Sequence, residues 1–447
     1  LQNTVAELQL DNHKLKEENI LLKQENILLK QEVATLKNRL NSGNSSLPPS
    51  SDLHAKNKSL RPKGDKKSGG QPGHKGKTLE MKAIPDQIIS HIPDFCACCG
   101  DSLSQKEAHF LEKRQVVDLP PIVPHYYEHQ IFSKTCACGK TTKGSFPQEV
   151  TAPIQYGSNI ETLVVYFSVR QYMPFQRIAE YFNNLGIFIS EGTIANILER
   201  MARKCAFPYQ VIKDNIEKST VVGADETGTK IDGKKGWIHT YQNPLNTLII
   251  ASPSRGSTVQ ETEFPNGFPN ATFISDAWPA QLKTPAKNHQ LCIPHLIRDL
   301  NFFIEAFEDD WAKRVKELFL KSIRLKPQIL DYQSLNPQRQ ALFDELDELL
   351  RESQKDKHKK INAFYKRLIK NRNSLLNFLL INEVPPDNNG SERAIRNIKV
   401  KTKISGQFKS FNGARIFAVI RSVIDTMIKR NQNVFTGLGQ VANYIPE

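Results

Sequence analysis

Thr220-Val221-Val222-Gly223-Ala224-Asp225-Glu226-Thr227-Gly228-Thr229-Lys230-Ile231-Asp232-Gly233 is the stretch where the pattern of the chain turns from helical to extended. Thr220–Ala224 is a short apolar run of the kind a buried strand carries, and it delivers Asp225. Gly228–Ile231 then meets Asp232-Gly233, a strong two-residue hairpin signal. Gly236–Tyr241 returns, and Thr247–Ala251 supplies a third strand. After a loop, Ala271–Ser275 delivers a second acid, Asp276.

Three antiparallel strands followed by a further αβ segment are the start of a ribonuclease H-like sheet. In that fold, acids at the ends of the first and fourth strands are neighbours. Phosphoryl transfer on DNA uses two hard cations, about 3.5–4 Å apart, held by carboxylate oxygens. Magnesium suits the task because it keeps water positions open. Two strand-borne aspartates then need a third carboxylate from a later helix. Glu392 is the candidate, in Pro385-Pro386-Asp387-Asn388-Asn389-Gly390-Ser391-Glu392-Arg393-Ala394-Ile395-Arg396. That string is loop chemistry running into a helix start. On a continuing helix Glu392, Arg396, Lys399 and Lys403 share one face. Each acid has an ordinary alternative: Asp225 as a hairpin-end acid, Asp276 as an N-cap, Glu392 as an i,i+4 partner of Arg396.

Upstream, Ile160–Gln171 and Gln176–Phe182 read as helices, the second ended by Leu185-Gly186. Ser190 is a good N-cap for a third, Glu191–Lys204, with Ile194, Ile197 and Leu198 on one face and Arg200, Arg203 and Lys204 on the helix. Helix, glycine-containing turn, helix is the layout of a helix-turn-helix, and short helical bundles share it. Further upstream, Cys96-x-x-Cys99-Gly100 and Cys136-x-Cys138-Gly139 are two tight turns able to present four thiolates to a structural zinc ion, with Cys98 spare beside the first. Between them Gln115–Asp118 and Tyr126–Phe132 are β-prone, so a small zinc-stapled β module is expected.

Residues 41–80 are rich in Ser, Pro, Gly and Lys and read as an extended basic tether able to lie along a DNA backbone, with Lys75 and Lys77 as candidate contacts. At the start of the chain Leu1, Leu8, Leu15, Leu22, Leu29 and Leu36 recur every seven residues. With these leucines at d, Asn12, Asn19 and Asn26 fall at a, and acids at g face lysines at e, the pattern of a parallel coiled coil. A homodimer or higher homo-oligomer is expected; the alternative is one amphipathic helix docked on its own chain.

Downstream of Asp276, Cys292-Ile293-Pro294-His295 opens a helix, and His295 is a candidate DNA contact or a packed junction. The pair does not read as a zinc site, since further ligands are not apparent nearby. Asp309–Lys321 and Gln338–Asp356 read as a helical insertion, and Phe417–Arg430 as a closing helix.

The net charge is +14 with pI about 9.3, which points to a polyanionic partner. Apolar residues make up 39%, enough for a core, and no run approaches the ~20 residues of a spanning helix. An odd number of clustered cysteines, 7, fits a reducing compartment and metal binding better than disulfides. No secretory signal precedes the first heptads, so a cytoplasmic, nucleoid-associated location is the expectation.

The strings Gly223-Ala224-Asp225-Glu226-Thr227, Ser275-Asp276-Ala277-Trp278 and Asp387–Arg396, together with Asn44–Asp52 and Gly69–Gly76 upstream, resemble transposases of the insertion sequence 66 family. The resemblance covers nearly the whole chain in one order. It implies an Asp-Asp-Glu transposase with Asp225, Asp276 and Glu392 holding two Mg²⁺ ions, and Cys96, Cys99, Cys136 and Cys138 holding structural Zn²⁺. The Cys-x-Cys knuckle departs from the usual Cys-x-x-Cys. Cys292 and His295 resemble a Cys-x-x-His motif that related transposases place after the second aspartate.

The expected architecture is multidomain α/β: a coiled coil (1–40), linker (41–80), zinc module (81–150), helix-turn-helix-like domain (151–215) and ribonuclease H-like catalytic domain (216–447) with a helical insertion at about 280–385. The expected function is strand cleavage at transposon ends and transfer of the 3′-hydroxyl into target DNA. Double-stranded DNA is the partner, accessory proteins of the same element are further candidates, and no membrane is involved. Arg200, Arg203, His295, Arg393, Arg396 and Lys399 are the expected DNA contacts beside Lys75 and Lys77. Two other classes compete: a non-catalytic dimeric DNA-binding regulator derived from a transposase, and a nuclease relative that cuts RNA or branched DNA.

Overall fold

The structure, a computed structural model, describes residues 2–37 and 79–444; Lys75, Lys77 and the linker up to residue 78 lie outside the described residues. The first element, α1 (Gln2–Lys37), is one unbroken helix of 36 residues. Its heptad leucines Leu15, Leu22 and Leu29 are 58%, 51% and 51% exposed, so the seam is open at these described positions.

The chain divides into two compact units, 59–125 and the remainder. In the smaller unit an isolated bridge between Phe95 and Ser102 closes the first cysteine turn. The side-chain amide of Gln115 brackets the backbone of Lys82, accepting from its N–H and donating to its C=O, each at 2.8 Å. The expected strand at Gln115–Asp118 does not form. Val116 and Val117 are exposed, and without a face to bury, their β propensity has nothing to pack against.

In the larger unit 126–132 also lacks a ladder, and the β content near the second cysteine turn is one hairpin, β1 (Ser133–Thr135) with β2 (Thr141–Lys143). Four helices follow. The first, α2 (Ser158–Val165), passes into a π turn at Tyr166–Arg170, followed by α3 (Phe175–Asn184), α4 (Glu191–Lys204) and α5 (Ala206–Glu217). Ser190 Oγ accepts from Thr193 N at 3.1 Å, the capping geometry its residue type favours.

The sheet is built from β3 (Val221–Ile231), β4 (Lys234–Gln242), β5 (Thr247–Ser252), β6 (Phe268–Ser275) and β7 (Ala286–Leu291), with α6 (Thr258–Glu263) before β6 and α7 (Pro279–Leu282) after it. Its order is β5-β4-β3-β6-β7; the first three strands are antiparallel neighbours, and β6 and β7 run parallel to β3. The hairpin turns at Asp232 and Gly233, both at positive φ (51° and 71°). Asp225 is not a strand-end residue: the β3–β4 ladder continues through it, opposite Thr240, to Ile231.

Alternation along the strands splits the apolar residues between two cores. Val222, Ala224 and Phe273 face one core, shared with α2–α5, α13 (Phe411–Lys429) and α14 (Val434–Asn443). Val221, Ile274 and Leu291 face the other, built by α8 (Ile293–Phe307), α9 (Asp310–Leu325), α10 (Pro337–Arg351) and α11 (Lys359–Lys370). The helical segment 158–217 therefore has no core of its own apart from the sheet. Between these helices and α13 comes α12 (Asn389–Ser405), which carries Glu392.

Both sheet edges are covered by side chains rather than left as open ladders. On β5, Thr247 N and Ile249 N donate to Thr426 Oγ1 (3.1 Å) and Ser422 Oγ (2.8 Å) of α13. On β7, His289 O accepts from Asn377 Nδ2 at 2.7 Å, and Gln290 Oε1 accepts from Phe378 N at 3.0 Å. Inside the first core Arg421 is fully buried. It pairs with Asp425 at 2.7 Å, donates to Val169 O at 3.1 Å and lies over the Tyr172 ring.

Candidate active site

Parallel register brings the first two acids together. Gly223 pairs with Ile274, and two residues further along each strand stand Asp225 and Asp276. Cys292, just past β7, donates its N–H to Ser275 O at 2.8 Å and so begins α8 beside Asp276. Asp276 and Cys292 follow the carboxyl ends of β6 and β7, and Asp225 stands just past the stretch of β3 that pairs in parallel with β6.

Glu392 arrives from the first turn of α12, and close backbone approach sets its position. Asn388 Nδ2 donates to Ala224 O at 2.7 Å, tying the helix start to the residue before Asp225. Ser391 Oγ donates to Asn388 Oδ1 at 2.7 Å and fixes that amide. A Cβ on Gly223 would stand 2.5 Å from Gln242 Nε2 and 2.7 Å from Asn388 Oδ1; one on Gly390 would stand 2.5 Å from the Gln242 amide. A side chain at either glycine would displace the Gln242 amide, and at Gly223 the Asn388 amide as well, so contact rather than backbone angle favours glycine here. Gln242 is itself held, accepting from Lys429 Nζ at 2.7 Å. The loop before α12 is pinned as well, since Pro386 O accepts from Ile293 N at 2.9 Å.

The electrostatics record the convergence. Burial pushes the Asp225 carboxyl well above the usual carboxylate range, and the charges of Asp276, Glu226 and Glu392 push the same way. Asp276 Oδ1 is buried with no hydrogen-bond partner. Cations sit around the cluster: Arg298 Nη2 is 3.9 Å from Glu392 Oε1, and Arg396 Nη2 is 3.7 Å from Oε2. Lys399 reaches Gly228 O at 3.3 Å; burial lowers its pKa and Asp225 opposes that. His295 Nδ1, 4.0 Å from Glu392 Oε1, is buried without a hydrogen-bond partner, and burial holds the ring toward its neutral form. Asp225 thus carries a carboxyl of suppressed acidity close to an Asp276 oxygen that has no hydrogen-bond partner.

Glu226, next to Asp225 on the opposite face, was not among the expected residues. It accepts from Arg255 Nε at 2.9 Å and Gln281 Nε2 at 2.6 Å. Arg255 in turn lies 3.7 Å from the ring centre of Trp278 and 4.9 Å from that of Trp237. This lattice braces the turn after Asp276, where Ala277 holds φ +69°, a conformation that costs a non-glycine residue about 1–2 kcal/mol.

The expected DNA contacts fare differently from one another. Arg200 is committed to the buried Glu161 at 2.6 Å, and Lys204 donates to Ala442 O. Arg203 is exposed and 3.5 Å from Glu199. Cys96 and Cys99 lie in the smaller unit, Cys136 and Cys138 in the larger. In each turn, backbone N–H groups hold one thiol, Cys96 or Cys136, below its usual range.

Asn388→Ala should cost about 1–3 kcal/mol, because Ala224 O would be left buried and unpaired. The melting temperature should fall, and any activity that depends on Glu392 should fall further than protein lost to unfolding explains. Equal loss in both would make Asn388 merely structural.

No helix among the described residues is long and apolar enough to cross a membrane. No curated protein matches the chain. Residues 1–80 match a family of unknown function (DUF6444). Residues 153–416, which span the helical segment, the sheet, the insertion and Glu392, match the transposase IS66 family. The chain belongs to the IS66 family of transposases, DNA-processing enzymes that bind DNA.

Proposed function

We propose that this transposase cleaves DNA at transposon ends and joins the freed 3′-hydroxyl to target DNA, using a ribonuclease H-like core in which Asp225, Asp276 and Glu392 hold two Mg²⁺ ions. One observation carries the reading. Carboxylates from three distant, half-buried residues converge so that Asp225 feels both other charges, and one buried Asp276 oxygen lacks any hydrogen-bond partner. Such a cluster is unfavourable by itself and becomes favourable around divalent cations. Bound magnesium supplies a nucleophile of lowered pKa and neutralises charge on the transferring phosphoryl group.

The chain's own groups do the rest. Asn388 and the two close-approach glycines orient Glu392. Arg298, Arg396 and Lys399 place positive charge where a scissile phosphate would lie, with Arg393 on the same helix and His295 beside Glu392. Arg203, Lys75 and Lys77 would contact DNA further from the chemistry; Arg200 would have to leave Glu161 to join them. Cys96 and Cys99 in one turn, and Cys136 and Cys138 in the other, would be ligands of structural Zn²⁺.

The test is strand transfer with matched end DNA, with Mg²⁺ and with chelator. Joined products that need Mg²⁺ support the reading. DNA binding without cleavage would leave the regulator, and cleavage without joining would leave a nuclease relative.

The open leucine seam of α1 is the proposed oligomer contact. Placing Glu at both Leu22 and Leu29 should reduce the oligomer to monomers by light scattering, and an unchanged mass would remove the coil from assembly.

A further inference from the structure

Cys292 and His295 lack a third ligand in sequence, and the fold supplies one. Cys292 Sγ, a His295 ring nitrogen and a Glu392 oxygen all lie within 4.8 Å of one another, the one such trio among the described residues. Cys292 is buried, His295 Nδ1 has no hydrogen-bond partner, and Glu392 comes from a different helix. Thiolate, imidazole and carboxylate form a donor set that selects a borderline-soft ion such as Zn²⁺ over Mg²⁺. Ligand bonds of about 2.0–2.3 Å need only a modest inward turn of these side chains.

We propose that Cys292, His295 and Glu392 form a zinc-selective inhibitory site that overlaps the magnesium site. On binding, the Cys292 thiol gives its proton to solvent and the thiolate joins the ion. The imidazole lone pair and one Glu392 oxygen complete three protein ligands, with a fourth position for water. The carboxylate and the thiolate together balance the dication. Glu392 is then withdrawn from magnesium, so zinc competes with the metal that supports catalysis. Arg298 and Arg396, which now face Glu392, would lose part of their partner. The inhibition rests on the catalytic role proposed for Glu392; the metal binding does not.

The experiment uses the full chain, freed of metal, with Co²⁺ as a visible stand-in for Zn²⁺. Parent and Cys292→Ala chains are titrated, and their spectra are subtracted so that the cysteine turns at 96–99 and 136–138 cancel. Cys292→Ser repeats the comparison in case the smaller side chain disturbs the core, and melting curves confirm that each variant folds. The expected difference is one thiolate-to-cobalt band per parent chain. In parallel, Zn²⁺ is titrated into Mg²⁺-supported cleavage, each chain normalised to its own zinc-free rate. The half-inhibiting Zn²⁺ concentration should rise at least about tenfold in the variants, since losing a ligand should cost no less than losing an outer-shell partner. Identical cobalt spectra in parent and folded variants would overturn the site even if cleavage is robust. A cobalt difference in a chain that never cleaves would keep the site and reject the catalytic reading. Equal zinc sensitivity despite the cobalt band would overturn the inhibition.

Discussion

Asp225→Asn is expected to lower strand cleavage by at least about a thousandfold, on the order of 4 kcal/mol of transition-state stabilisation, while DNA affinity is unchanged. It is also expected to melt at a higher temperature than the parent in magnesium-free buffer. The sign follows from linkage. The folded chain holds the Asp225 proton more tightly than the unfolded chain does, because burial and three neighbouring acids oppose the charge. This group's contribution is therefore most favourable below its unfolded pKa, near about pH 4. It is lost as pH rises toward and through the raised folded value, so at neutral pH the group makes the fold less stable than it is in acid. Asparagine keeps the shape and removes the charge. Magnesium should relieve the same repulsion, raising the parent's melting temperature and moving the variant's less. Scanning calorimetry with and without Mg²⁺, beside gel assays of cleavage and binding, checks all three. An Asp225→Asn chain that still cuts would dismiss the triad.

The largest loss of stability is expected at Arg421. Its guanidinium is fully buried, paired with Asp425 at 2.7 Å and bound to Val169 O at 3.1 Å. Arg421→Met leaves Asp425 buried without its counter-ion, which typically costs about 3–5 kcal/mol. Replacing both, Arg421→Met with Asp425→Leu, should recover much of that, because two apolar residues leave no uncompensated charge. Denaturant melts of the three chains, followed by tryptophan fluorescence, measure the difference. A single variant as stable as the parent would mean that water reaches the pair. The effect should also be felt at the site. Tyr172, under the Arg421 guanidinium, donates to Asn397 Oδ1 at 2.9 Å, and Asn397 shares α12 with Glu392.

What could be read in advance was what short-range chemistry decides. The helix at Glu191–Lys204 is found with the expected bounds because Ser190 caps it locally. The Asp232-Gly233 turn is found because only certain residues tolerate positive φ in sequence. The places of Asp225, Asp276 and Glu392 were legible from strand ends and a loop-to-helix string, although Asp225 lies mid-strand. Strand β7, Ala-Lys-Asn-His-Gln-Leu, was not legible. It is a polar edge strand whose stabilising partners, Asn377 and Phe378, are far away in sequence. Arg200 looked like a DNA contact because nothing nearby reveals Glu161 thirty-nine positions upstream. Glu226 gives no local signal for the same reason, since Arg255 and Gln281 meet it only in the fold.

The helical insertion leaves the sheet at β7 and comes back to it at almost the same place. Leu375 O and Phe378 N bond Gln290, Asn377 bonds His289, and Pro386 O receives Ile293 N. Entry and exit are stitched together before Glu392 is reached. The helices between those stitches also cover Val221, Ile274 and Leu291, so their inner faces are fixed, whereas their outer faces and the exposed loop around Leu330 and Leu335 can change without altering where the third acid lands. New accessory surfaces can be tried there while the chemistry beneath them stays in register.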